Sequence, residues 1–312
     1  MELVAGCRAR ERLVVLSKSF GMRSAFDQTA LSFDLDGSHP GDLSRALRAF
    51  QTHGIDLDQI QSLSLAGTLP ESSGSYRFYV ELKGHASDPH ITRALVDLRD
   101  MVGADSVRLL GSFVRNGSGG RNGGDGGATP GGVAASAAES GAPGALASTA
   151  TATALRAAWG ADRVWHFLGP RATFTHAATS ALIARYARAE GDTPSLNACA
   201  KIGAVFDAVV DGGDSGVASS CCGVVPIENS TAGAVLETID LLHQHAGSLV
   251  IVAQHLLPIE HCLFSHAPSA AAVVEVISKD QVRAPSSSRY CRQQAERAAP
   301  SPPPRSVRPT FA

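Results

Sequence analysis

The chain has 312 residues and a mass of 32.3 kDa, with 27 basic against 29 acidic side chains and a formal charge of −2. At roughly 100–200 residues per domain this length suggests two domains. Near-neutral charge argues against a polyanion binder, and no apolar run approaches the roughly 20 residues that span a bilayer. Two segments differ from the rest: residues 116–152 are rich in Gly, and residues 283–312 carry six Arg, one Glu and a Pro-rich end. The first 26 residues are mildly basic without an apolar core, so no secretory signal is read there, and an organellar address stays open. The six Cys form no CxxC pair, which suits reduced thiols in an intracellular protein.

In chain order, Leu31, Phe33 and Leu35 alternate as in a half-buried strand. Leu43, Leu47 and Phe50 recur at helical spacing, and Gly54 follows as a C-terminal cap. Ile55 to Leu65 reads as a second strand, and Gly67 to Gly74 as a polar loop. Tyr76, Phe78, Val80 and Leu82 alternate in a third strand. Asp88 and Pro89 open a helix striped by Ile91, Leu95, Leu98 and Val102, and Val107 to Val114 is a fourth strand. The order βαββαβ is the ferredoxin-like arrangement, bounded here at 27–115.

Residues 116–152 hold almost no large apolar side chain, so they read as a disordered tether. Alternation returns at 160–282. Val164 to Leu168 is a short strand, Gly169-Pro170 a turn, and Phe174, Ala178, Leu182 and Tyr186 a helix stripe. Residues 191–200 read as an irregular insertion, followed by a helix at 202–210. Gly223 to Ile227 is a strand, Val235, Ile239 and Leu242 stripe a helix, and 249–254 and 258–265 read as two further strands. Strand-helix alternation predicts a parallel, doubly wound sheet. Residues 283–312 read as a disordered Arg/Pro-rich tail.

The chemistry is expected at two turns, Gly169–His176 and Pro226–Gly233, where strands are predicted to give way to helices. Free backbone N–H groups and hydroxyl side chains at such a junction suit an anion, and ligands of open α/β sheets sit beyond the carboxyl ends of strands. Singly, Thr173 and Ser230 or Thr231 also fit plain helix N-caps. His243 and His245 lie two apart on a predicted helix and do not share a face, so no metal site is read there.

The segments FLGPRATFTHAA (167–178) and GVVPIENSTAGAVLETIDLL (223–242) closely resemble the N-terminal motifs of prephenate dehydratases, and PIEHCLF (258–264) and VISKDQ (276–281) continue the likeness. Residues 30–114 resemble an ACT domain, an amino-acid-sensing module that usually follows the catalytic domain but precedes it here. The resemblance implies an α+β ACT domain, then one lobe of a doubly wound, periplasmic-binding-protein-like α/β domain. It implies conversion of prephenate to phenylpyruvate with loss of water and carbon dioxide, in L-phenylalanine biosynthesis, without a cofactor or metal. Thr173, Glu228, Asn229 and Ser230 would line the substrate cleft. Ala172 stands where the family usually has Gly, a penalty if that position needs a positive φ.

The family's second lobe, with its Thr-Arg-Phe motif, is expected after VISKDQ, and no Thr-Arg-Phe occurs in the chain. The expectation is therefore one lobe only, with little or no dehydratase activity. By the same resemblance Gly41, Asp42, Leu43, Gln61 and Ser62 would hold L-Phe or a related amino acid, weakened by Asp42 and by Gln61 and Leu63 in place of Glu and Arg. Paired ACT sheets imply a homodimer. Arogenate as substrate, or a non-catalytic ACT-containing amino-acid-binding regulator, are the alternative readings. Nucleic-acid and membrane partners are not expected, and the location implied is cytoplasmic, with a plastid open.

Overall fold

The computed structural model describes residues 2–19, 23–24, 26–37, 39–65, 75–114, 164–186, 194–212 and 221–265. The tether at 116–152, the tail at 283–312, the loop at 67–74 and VISKDQ at 276–281 lie outside the described residues.

Residues 27–114 adopt the βαββαβ order expected: β2 (Asp27–Leu35), α1 (Asp42–Thr52), β3 (Leu57–Ser64), β4 (Tyr76–Lys83), α2 (Pro89–Val102) and β5 (Val107–Val114), preceded by β1 (Glu2–Ser17). The four strands pair antiparallel in the order β3-β4-β2-β5. Gly54 ends α1 with φ +65°, where a side chain would be strained. Pro89 opens α2, but the Asp88 carboxylate does not cap it; that carboxylate accepts the His85 N–H at 2.9 Å and pairs with Arg23.

One face of this sheet is covered by α1 and α2. Leu31 and Phe33 from β2, and Phe78, Val80 and Leu82 from β4, meet Ala46, Ala49, Phe50, Ile91, Ala94, Leu95 and Leu98 in an apolar core. Phe33 and Phe78 stack with ring centroids 5.3 Å apart. The other face was expected to meet solvent. It is buried too: Ala30, Leu63, Tyr79, Leu110 and Phe113 pack against Ile202, Val205, Phe206, Ile239, Leu242 and Ile251. The half-buried strands of the sequence reading are central strands with two covered faces.

The second part holds β6 (Val164–Leu168), α3 (Phe174–Tyr186), β7 (Ser195–Cys199), α4 (Ile202–Asp211), β8 (Cys221–Asn229), β9 (Gly233–Ala234), α5 (Leu236–Gln244) and β10 (Val250–Ser265). Its sheet runs β10-β1-β8-β6-β7, with β9 on β8, and β6 is parallel to both β7 and β8. Helix α3 covers one side through Ala178, Leu182 and Ile183, against Trp165, Phe167, Cys222 and Val224. Helices α4 and α5 and the four-stranded sheet cover the other. This is the doubly wound arrangement expected, with three corrections.

First, residues 2–17 are a strand of this sheet. Leu13 and Val15 enter one core, while Val14 and Leu16 enter the other. Removing this stretch as an address would take a central strand with it. Second, the segment read as irregular contains β7, because only its partner β6 makes so short and polar a run extended. Third, the two strands expected at 249–265 are one, β10.

The described residues fall into two compact units. One unit comprises Arg12–Glu228 and Ala234–Leu257, and so holds both sheets' cores; the other, among described residues, comprises 2–11, 229–233 and 258–265. The adjacent Cys221 and Cys222 behave as expected of neighbours in a strand, one half-buried and one in the core. No helix among the described residues is long and apolar enough to cross a membrane.

Candidate functional site

Thr173 stands at the first turn, between β6 and α3. Its hydroxyl accepts the His176 N–H at 3.2 Å, which makes it the N-cap of α3. The same oxygen reaches the carbonyls of Pro170 at 3.0 Å and Leu168 at 3.2 Å. Ala172 has φ +68°, so the position does require the left-handed region, and Ala carries the strain that Gly would avoid. The Ala172 N–H donates to His176 Nδ1 at 3.1 Å, and the His176 ring lies on Phe167 with centroids 5.0 Å apart. His176 thus holds the turn together.

The second turn differs from expectation. Strand β8 continues through Asn229, and α5 begins only at Leu236, with Val235 as its N-cap. Ser230 and Thr231 are therefore not helix caps, and the expected helix N-terminus directly behind them is absent. Asn229 Oδ1 instead accepts the N–H groups of Thr231 at 2.9 Å and Ala232 at 3.2 Å, a local side-chain-to-backbone turn. Ser230 exchanges two hydrogen bonds with the backbone of Arg10. Its N–H donates to the Arg10 carbonyl at 2.8 Å, and its hydroxyl accepts the Arg10 N–H at 2.9 Å.

Glu228 lies within the larger unit, where Arg12 holds it. Arg12 Nε donates to Glu228 Oε2 at 3.1 Å, Nη1 to Glu81 Oε1 at 2.5 Å, and Nη2 to Gln59 Oε1 at 2.5 Å. Gln59 Nε2 approaches the same Glu228 oxygen at 3.4 Å. Glu81 is 1% exposed and also accepts from Gln28 Nε2 and the Tyr79 hydroxyl, each at 2.5 Å. Burial opposes charge on Arg12, yet Glu81, Tyr79 and Glu228 together carry its guanidinium above the ordinary value. Burial first, and then the Glu81 carboxylate, push the Tyr79 phenol well above its usual range.

Arg12 and its strand were missed in the sequence. The signal was present: Leu13-Val14-Val15-Leu16 is a short, fully apolar run of the kind that fills a central strand.

A second buried cluster joins the sheet of β2 and β4 to α5. Arg77 pairs with both oxygens of Asp34 at 2.8 Å and with Asp240. His243 Nδ1 lies 2.8 Å from the Ser32 hydroxyl, and its Nε2 lies 3.6 Å from Asp34. His245 instead meets the Phe206 ring, centroids 5.4 Å apart, so the two histidines do not converge.

The residues read as an effector site occupy two elements. Gly41 has φ +94° and precedes α1, and Asp42 accepts the His39 N–H at 3.2 Å and pairs with Arg45 at 2.9 Å. Leu43 packs at the margin of the helix-covered core. Gln61 and Ser62 lie on β3, with Gln61 Nε2 donating to the Ser62 carbonyl at 3.1 Å.

Residues 165–300 match the sequence profile of the prephenate dehydratase family, which carries the likeness past residue 282, where the sequence reading ended it. The chain is 32% identical over 111 residues to a bifunctional chorismate mutase/prephenate dehydratase of Enterobacter agglomerans, covering 36% of this chain and 26% of the relative. It is 31% identical over 113 residues to a prephenate dehydratase of Corynebacterium glutamicum, covering 36% and 34%. Among solved structures, the prephenate dehydratase of Arthrobacter aurescens in complex with L-Phe is similar at 31% identity, over 31% of this chain and 30% of that one, with a TM-score of 0.27. The chain spans about a quarter to a third of the length of these curated relatives.

Proposed function

We propose that this chain, which carries prephenate dehydratase family sequence over residues 165–300, acts on prephenate. The products are phenylpyruvate, water and carbon dioxide, and the chain serves L-phenylalanine biosynthesis as a carbon–oxygen lyase. The single observation that carries this reading is the family match, which includes the PIENS run at 226–230. The chemistry asks little of the protein. Loss of carbon dioxide makes the ring aromatic, so the site must orient a dicarboxylate and assist the departing hydroxyl. Glu228 brings an ionisable carboxyl, Ser230 and Thr173 bring hydroxyls, and Asn229 brings an amide. The test is phenylpyruvate formation by the purified full chain, with prephenate and arogenate offered in parallel. Turnover of prephenate supports the reading and removes the expectation of little or no activity from one lobe, faster turnover of arogenate reassigns the substrate, and turnover of neither overturns the reading and upholds that expectation.

A specific observation favours a second reading, a non-catalytic amino-acid-binding regulator. The hydroxyls of Thr173 and Ser230, the amide oxygen of Asn229 and one oxygen of Glu228 are all engaged in hydrogen bonds within the protein. Under either reading L-Phe or a related amino acid is the effector, at Gly41–Leu43 and Gln61–Ser62. Titration calorimetry with L-Phe tests this, and weak or altered binding is expected because Asp42 already serves Arg45 and His39. Both faces of the four-stranded sheet are covered within the chain, so a homodimer through this module would form at the β3 edge rather than face to face. The location proposed is cytoplasmic or plastid.

A further inference from the structure

Glu228 is half-exposed, with a side chain 39% accessible, yet one of its oxygens is fixed. Oε2 receives Arg12 Nε and faces Gln59 Nε2, whereas Oε1 has no protein hydrogen bond among the described residues. The group that fixes it is buried: the Arg12 side chain is 14% accessible and Glu81 opposite it 2%. A guanidinium is planar and its N–H vectors are rigid, so its three contacts cannot move independently. Two of those contacts, Glu81 on β4 and Gln59 on β3, belong to the four-stranded module. The third is the carboxylate of the candidate site. Gln59, Gln61 and Leu63 alternate on one face of β3, and Leu63 is in the core against the lobe. Gln61 thus lies two residues from Gln59 on the same face of β3.

We propose that Arg12 is a positioning residue for Glu228, and that its three-way fork is the link through which the four-stranded module sets the orientation of that carboxylate. Arg12 itself need not touch the substrate. It holds Oε2 and leaves Oε1 without a protein hydrogen bond among the described residues, and its own place is set by Glu81, which Gln28 and Tyr79 hold in turn. The activity half of the test rests on the dehydratase reading above; the spectroscopic half does not.

The experiment uses the full chain, labelled with nitrogen-15, and follows the arginine Nε–H resonances. A guanidinium held by three acceptors exchanges slowly with water. Arg12→Lys identifies its resonance by removing it. The proposal expects that resonance to be protected in the wild type and to shift both in Glu228→Gln and in Glu81→Gln, although these two residues lie in different sheets. Addition of L-Phe is the third arm, expected to move the same resonance. In steady-state assays with prephenate, Arg12→Lys is expected to lower kcat by up to about 100-fold with little change in KM. The double variant Arg12→Lys/Glu228→Gln should be no slower than Glu228→Gln alone. An Arg12 resonance as unprotected as that of a surface arginine, or one indifferent to Glu81→Gln, overturns the proposal, as do kinetic effects that simply multiply. If the wild type turns over no prephenate, the dehydratase reading fails, and the Nε–H shifts alone decide the role of Arg12.

Discussion

The two faces of the four-stranded sheet are both covered along β2 and β4, and they are differently built. Toward α1 and α2 the strands present Leu31, Phe33, Phe78, Val80 and Leu82, an apolar face whose buried polar side chains, Thr29 and Ser112, bond each other at its margin. Toward the larger sheet the same strands present Gln28, Ser32, Arg77, Tyr79 and Glu81 among Ala30 and Leu63, and all five are below 9% exposed. Adjacent residues of a single strand thus serve opposite chemistries: Phe78 stacks on Phe33, while its neighbours Arg77 and Tyr79 enter hydrogen-bonded networks. The apolar face is held by area and shape, which tolerate conservative exchange. The polar face is held by partners that must all be present, because a buried donor or charge left alone is costly. The second kind of face specifies one docking geometry, which the proposed link from Arg12 to Glu228 requires.

The largest effect is expected where the docking leaves no room. Gly111 in β5 has φ +140°, and a Cβ there would sit 2.3 Å from the Ile251 carbonyl oxygen of β10 and 2.7 Å from its nitrogen. Both contacts are backbone, so no side chain can yield. Gly111→Ala should cost about 3 kcal/mol or more, from overpacking and backbone strain together, seen as a fall in the urea midpoint. A cost near that of an exposed Gly would mean that the lobe does not hold the module at this point.

Of comparable size at the upper end are paired truncations, one per face. Phe33→Ala removes a fully buried ring from the helix side and should cost about 3–5 kcal/mol. Arg77→Ala leaves Asp34 and Asp240 facing each other without their cation. The cost is expected to be lower, about 2 kcal/mol, because those carboxylates are 27% and 38% accessible and partly screened. The Arg77 cost should shrink in 1 M salt while the Phe33 cost does not. Equal salt response at the two sites would erase the distinction between the faces.

The sequence displays the two faces unequally, and the reason is physical. Leu31, Phe33 and Leu35, or Phe78, Val80 and Leu82, are legible because apolar residues at period two have one common explanation. The intervening Gln28, Ser32, Tyr79 and Glu81 look like a solvent face, since their partners are far away in the chain: Glu81 meets Arg12, and Ser32 meets His243. Strand β7 was hidden for a related reason, because Ser195–Cys199 is extended only by pairing with β6. At the candidate site, the motif residues were legible as a set from resemblance, and Thr173 as a cap from its position. That Ser230 would bond the backbone of Arg10 instead of capping a helix depends on β1, which no local pattern places beside β8.

A smaller effect separates the faces by pH. Burial lowers the pKa of His243, opposed by Asp34 and reinforced by Arg77 and Arg108. A folded-state value below the unfolded value of about 6.5 means that the unfolded chain takes up the proton first. The neutral His243 contribution is therefore complete above pH 6.5 and is lost as pH falls toward the folded-state value. Melting temperatures should drop between pH 7.5 and pH 5, and His243→Gln should flatten that slope. Phe33→Leu, on the apolar face, should lower the whole profile and leave its slope unchanged.

The smallest effect asks whether the polar face acts as a network or as separate bonds. Tyr79→Phe deletes one hydroxyl that donates to Glu81. Glu81 keeps Arg12 and Gln28, so no charge is stranded, and the loss should be about 1 kcal/mol, the net worth of one hydrogen bond. The phenol does not ionise at working pH, since burial and Glu81 hold its pKa well above 10, so the cost should be constant from pH 6 to 9. In a Glu81→Gln background the tyrosine faces a neutral amide instead of a carboxylate, and the same substitution should cost less. The difference between the two costs is the coupling energy, expected at about 0.5 kcal/mol or more for residues sharing one network. Full additivity would show that Glu81 binds its partners one at a time. The buried polar face would then be a collection of satisfied groups, and a change at Tyr79 would have no route through Glu81 to Arg12.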